Sequence, residues 1–154
     1  MIEVSILKCK DLELRRKLKN SVRRLIHATM PKKRKLYVRV ILQDGLISDE
    51  FMYGSCIKNS LYKYTIHIEG LLDLPNMISI LCHEMVHVRQ YCRGELKYDL
   101  KNPSISIWLG EIYDDDEIEY EDHPWEIDAI EREVGLRHMI FKTLGIHMDT
   151  QLDT

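Results

Sequence analysis

Pro75-Asn-Met-Ile-Ser-Ile-Leu-Cys-His-Glu-Met-Val-His-Val-Arg-Gln-Tyr-Cys-Arg-Gly94 is the stretch from which the rest of the chain is read. Pro stands near its start, Gly closes it, and apolar residues recur between them at helical spacing, which predicts one helix. Residues 78, 81, 85, 88 and 92 (Ile, Leu, Met, Val, Cys) share a stripe at ~100° per residue, and His83 and His87 fall on nearly the opposite side. Two His four residues apart on a helix face can reach one metal ion with both imidazoles. Glu84, one residue past the first His, is spaced to touch a water on that ion without being a ligand, as the general base of a hydrolysis.

A catalytic zinc takes three protein ligands and keeps one position open. A metzincin would place Gly three residues and His six residues after His87; those positions hold Gln90 and Arg93, which excludes that arrangement. The other common solution is a carboxylate from a later helix, and Pro124 to Leu144 predicts one, with Pro in the first turn. Its apolar face is expected at Ile127, Ile130, Val134 and Phe141, with Glu126 on the edge of that face and Asp128 pointing away. Glu126 ranks first as third ligand. His123, just before the helix, ranks second, and Glu133 third, with a second use for Glu133 as the acceptor for a His ring N–H. Tyr113, Tyr120 and His123 are available to stabilise an oxyanion, and spacing does not choose among them.

Around these two helices the pattern predicts an α+β chain. Residues 11–29 read as an amphipathic helix, with Leu14, Leu18, Val22, Leu25 and Ile26 on one side. Leu36 to Leu42 is β-branched and aromatic, a first strand ended by the Asp44-Gly45 turn. Residues 50–57 and 61–68 read as two more strands joined at Lys58-Asn59-Ser60. Ser104 to Gly110 and Glu111 to Tyr113 suit a short hairpin. The run 114–122, with seven acids in nine positions, reads as a solvated loop. The expected architecture is an N-terminal helix, a small and mostly antiparallel sheet, the HExxH helix and a C-terminal glutamate helix.

The length suits a single domain over 1–154. No apolar run approaches the roughly 20 residues of a membrane span, and the first residues lack a long apolar core with a cleavage site, which predicts an intracellular, cytoplasmic protein with no membrane partner. Cys9, Cys56, Cys82 and Cys92 form no CxxC pair and are expected as reduced, packed thiols. Charge is uneven. Residues 1–39 carry 13 Lys/Arg against three acids, net +10, so the remainder of a chain at −3 carries −13. Residues 8–39 therefore offer nucleic acid as a partner class, against the plainer reading of a solvated basic face.

Three elements carry a family resemblance: the apolar-flanked His83-Glu84-x-x-His87, the segment Trp108-x-Gly110-x-x-Tyr113, and His123-Pro-Trp-Glu-x-x-Ala129 opening the last helix. Over about residues 60–145 the chain resembles small zincin metallopeptidases of the gluzincin kind, the minigluzincins and the short phage-encoded SprT-like or zincin-like proteins. It departs from true SprT proteins in having no His between His87 and His123. The resemblance implies a zincin-like fold, Zn2+ as cofactor, Glu126 as third ligand, a peptide or protein substrate, and a strand ending near Ile68 as an edge that pairs with an extended peptide. The leading expectation is thus peptide hydrolysis at zinc held by His83, His87 and Glu126, with Glu84 as base. The alternatives are a zincin-fold binding or regulatory module, nucleic-acid associated through its basic residues and without general proteolysis, and a structural zinc closed by a Cys.

Overall fold

The computed structural model describes residues 1–50 and 52–147. Its strands and helices run β1 (Ile2–Leu7), α1 (Leu12–Thr29), β2 (Leu36–Gln43), α2 (Leu46–Glu50), β3 (Gly54–Lys58), β4 (Lys63–Glu69), α3 (Leu74–Cys92), β5 (Leu96–Tyr98), β6 (Ile105–Trp108), β7 (Glu111–Asp114) and α4 (Pro124–Leu144). The chain is α+β. Phe51, which the expected strand 50–57 includes, lies outside the described residues.

Four strands form one sheet in the order β1-β2-β4-β3. β1 and β4 both run parallel to β2, and only β3 runs antiparallel, beside β4. The main sheet is therefore mixed rather than mostly antiparallel. The reason is β1, which sequence reading passed over although Ile2, Val4 and Ile6 alternate with Glu3 and Ser5. A strand, a helix and a returning parallel strand form a crossover unit, whereas the short Lys58-Asn59-Ser60 turn allows only the antiparallel hairpin β3–β4. β5, β6 and β7 make a separate antiparallel sheet, and sequence reading missed β5 as well.

The ladder register fixes what faces the core. Ile6, Val40, Ile66 and Cys56 lie side by side, as do Val4, Val38 and Tyr64 in a second row and Leu42, Ile68 and Gly54 in a third. These rows pack under α1 and α3, whose own buried residues include Leu18, Val22 and Leu25, and Ile78, Leu81, Met85 and Val88. Asp11 starts α1 by accepting the Glu13 and Leu14 N–H groups at 3.0 and 3.2 Å, and Asp73 starts α3 by accepting the Asn76 N–H at 3.0 Å. Helix α4 packs on α3 and α1, and Gly145 closes it at φ 70°.

α4 is rotated from the expected orientation. Ile127, Ile130 and Val134 are exposed, and its buried residues are Trp125, Glu126, Ala129, Ile140 and Phe141. The polar groups of α3 account for the rotation: buried imidazoles and a buried amide need acceptors, and leaving them unpaired costs more than leaving three aliphatic side chains in water.

One close contact sets the approach of the sheet to α3. A Cβ at Gly54 would sit 2.4 Å from Ile80 Cγ2, 3.1 Å from the His67 carbonyl and 3.5 Å from Glu84 Cγ, so only Gly lets β3 lie this near the motif helix. Gly54→Ala should destabilise the chain by about 1–3 kcal/mol in denaturant titration, the ordinary cost of overpacking. At the end of β4, the buried carboxylate of Glu69 accepts the N–H groups of Gly45, Ile47 and Leu71 at 3.1, 3.3 and 3.3 Å, joining two loops. Burial raises its pKa, but these backbone bonds prevail and hold it below the usual carboxylate value. The stability it contributes is therefore present above the unfolded carboxylate pKa and lost as pH falls through the folded one. Glu69→Gln should lower Tm at neutral pH by a margin that shrinks towards pH 3.

Candidate metal centre

Helix α3 projects His83 and His87 from one face, and the first turn of α4 brings Glu126 to them. His83 Nε2 lies 2.8 Å from Glu126 Oε1, and His87 Nε2 lies 2.9 Å from Oε2 and 3.2 Å from Oε1. One ligand atom from each of the three residues falls within a 4.8 Å cluster. Glu126 and His87 are buried and His83 is nearly so. No Cys belongs to this group among the described residues, and all four Cys are free thiols.

The remaining ring nitrogens are held from behind. His83 Nδ1 lies 3.0 Å from Glu133 Oε2, a carboxylate that only accepts, so Nδ1 carries the proton. For His87 the partner is Gln90 Oε1, at 2.8 Å from Nδ1. The Gln90 amide nitrogen donates to the Trp125 carbonyl and to Asp128 Oδ2, both at 2.9 Å, and so its oxygen must be the atom facing His87, which again donates from Nδ1. In the neutral rings the Nε2 lone pairs therefore face a carboxylate. Lone pairs 2.8–3.2 Å from carboxylate oxygens repel unless a cation lies between them, either a proton or a metal ion.

Electrostatics follow that geometry. Burial opposes the charged form of His83, but the bonds to Glu126 and Glu133 outweigh it and push its pKa up to about 10. His87 shifts the same way, with burial opposing and Glu126 prevailing. Burial would raise Glu126, yet the bonds from His83, His87 and Tyr120 hold it well below the usual carboxylate range. Glu84, on α3 between the two His, is buried, and that burial lifts its pKa against the pull of His87 and His83. The set of two Nε2 atoms and one carboxylate, each ring fixed by an acceptor at Nδ1, fits a borderline divalent ion such as zinc.

Comparisons of the chain with protein-family models, curated proteins and solved structures find no match.

Of the four other third-ligand and electrophile positions, the structure brings two to the cluster in different roles. Glu133 stands behind His83 and not beside the Nε2 atoms. Tyr120 donates its hydroxyl to Glu126 Oε1 at 2.8 Å. His123 is turned elsewhere, with its ring stacked on Trp125 at 4.6 Å and Nε2 donating to the Asp115 carbonyl at 3.1 Å. Tyr113 is also directed away, with its hydroxyl 3.2 Å from Glu111 Oε2. The acidic run is more than a solvated loop: it forms one-turn 3-10 segments at Asp115–Glu117 and Tyr120–Asp122, and Ser106 Oγ donates to Asp115 Oδ2 at 2.9 Å. Tyr120 opens the second of these segments.

Gln90 and Asp128 were not read as site residues, and Asp128 was expected to point away from α3. Asp128 instead accepts from Gln90 at 2.9 Å and from Arg132 Nε at 2.8 Å. Gln90, fully buried, orients His87 and at the same time fixes the first turn of α4, which carries Glu126. A polar residue one turn after the second His was the available signal. Gln90→Leu should weaken zinc binding by roughly 10–100-fold in a chelator competition, the usual cost of losing an outer partner of a metal-bound His.

Proposed function

We propose that the chain is a zinc-dependent metallopeptidase with a zincin-like site, in which His83, His87 and Glu126 hold the ion and Glu84 is the general base. The reading rests on one observation above others: two Nε2 atoms converge on a single carboxylate while acceptors hold both Nδ1–H groups, on a helix that also carries a buried Glu between the two His. When bound, zinc supplies Lewis acidity, lowering the pKa of a coordinated water towards ~7 and polarising a carbonyl.

The protein groups carry the rest of the reaction. Glu84, with its pKa raised by burial, takes a proton from the attacking water and returns it to the leaving amine. Tyr120 is the aromatic whose hydroxyl already lies at the cluster, and on substrate binding it turns from Glu126 to the oxyanion. The resemblance put the peptide-pairing edge at the strand ending near Ile68, but β4 is interior and the free edge beside Glu84 belongs to β3. An extended peptide adding to β3 would run past the general base.

The test is cleavage of an unstructured protein such as casein by the zinc-loaded chain, with activity lost to a chelator and restored by about one equivalent of zinc. A chain that holds zinc and leaves unstructured proteins intact would instead be a binding module on the same site.

A further inference from the structure

Away from the metal centre the charge of the chain reverses. Residues 111–133 hold twelve acids and one Arg, whereas the grooves around α1 are lined by cations. The first groove crosses the sheet face that no long helix covers among the described residues. Its floor is set by strand register: Tyr37 on β2 lies between Glu3 on β1 and Lys63 on β4, and Arg39 lies between Ser5 and Thr65 one row on. Lys19 and Arg23 of α1 form its rim. A second groove, between α1 and α4, is lined by Arg16, Lys17, Arg23 and Arg24 with no acid, and Arg23 belongs to both.

Lys19, Arg23, Arg24, Arg39 and Lys63 have no carboxylate within 4.0 Å among the described residues, in contrast to Arg16 and Lys17, which pair with Glu13. Among the described residues, Glu3 is the single acid in either groove. Unpaired cations this dense repel one another, and a polyanion relieves that repulsion and releases counterions. The aromatic at the floor narrows the class. Lys63 Nζ stands 5.6 Å from the Tyr37 ring centroid, and a base that stacks on Tyr37 would displace the ammonium towards a phosphate. A duplex keeps its bases stacked on each other and has no use for such a ring, whereas a single strand does.

We infer that the continuous basic surface formed by α1 and the open face of β1, β2 and β4 binds single-stranded nucleic acid, with Arg23, Arg39 and Lys63 on phosphates and Tyr37 under a base. The acidic region around the metal centre repels the same polymer, so the strand docks here and is not the substrate of that centre. The inference stands apart from the peptidase reading.

The experiment is fluorescence anisotropy of a labelled 20-nucleotide oligothymidylate with the full chain between 50 and 200 mM KCl. With about three phosphates neutralised, affinity should fall roughly 20-fold across that range, at a slope near −0.7 per phosphate. Arg39→Ala with Lys63→Ala should weaken binding at least about tenfold and flatten the slope by roughly 1.4. Tyr37→Ala should weaken it about tenfold with the slope unchanged, as expected for one stacked base. Circular dichroism melts of each variant, all altered on the solvent side of the sheet, establish that the fold is retained. The inference is overturned by undetectable binding at 50 mM KCl or by full binding in the Arg39/Lys63 variant. It is overturned equally if heparin, a duplex of the same length or phosphatidylserine vesicles bind as tightly while Tyr37→Ala has no effect.

Discussion

Glu84→Gln is expected to keep about one zinc per chain and to lose peptide cleavage by a factor of about 100–10,000, the range that a positioned general base supplies. The two halves of that outcome come from different features of the site. Metal retention follows because Glu84 is no part of the His83, His87 and Glu126 group and its replacement has nearly the same shape. Loss of turnover follows because an amide cannot accept and return a proton. Gln is also the mildest change at a buried position whose carboxyl is already pushed towards its neutral form, so Tm should hold or rise slightly. A variant that holds zinc and cleaves at the wild-type rate would remove Glu84 from the mechanism.

Glu126→Ala has the largest effect on the ion itself. Its carboxylate is the shared partner of His83 Nε2, His87 Nε2 and the Tyr120 hydroxyl. Removing it should lower zinc affinity well beyond the roughly 10–100-fold assigned to an outer partner, because a ligand and the carboxylate bonded to both rings are lost together. In the metal-free chain the same change leaves the Nε2 atoms of both imidazoles without their carboxylate acceptor, and breaking a buried ion pair costs about 3–5 kcal/mol. Differential scanning fluorimetry reads both effects. The variant should melt lower than wild type without metal, and added zinc should raise the wild-type Tm by mass action while leaving the variant nearly unmoved.

The difference between what the sequence discloses and what it hides follows from which interactions are local. The stripes of α1 and α3 lie within a few turns, and Leu18, Leu25, Ile78 and Met85 occupy the places that periodicity assigns them. The parallel pairing of β1 with β2 joins residues 34 apart, Ile2 with Leu36, and nothing within β1 itself announces a partner. Helix α4 shows how polar demand overrides an apolar pattern. Its Ile127, Ile130 and Val134 spacing looked like a core face, yet the buried groups of His83, His87 and Gln90 draw the Glu126, Asp128 and Glu133 side inward. For the site, His83 and His87 are legible because their spacing is a property of one helix. Gln90 was hidden because its use depends on a carbonyl and a carboxylate from a helix 35 or more residues away.

The central claim is a zinc ion between α3 and the first turn of α4, and anomalous diffraction from zinc-loaded crystals, recorded on both sides of the zinc absorption edge, tests it most directly. One strong peak per chain is expected at the meeting point of His83 Nε2, His87 Nε2 and the Glu126 carboxylate, with Glu133 and Gln90 behind the rings. A peak ligated by other residues, or none at this point in crystals soaked with excess zinc, would contradict it.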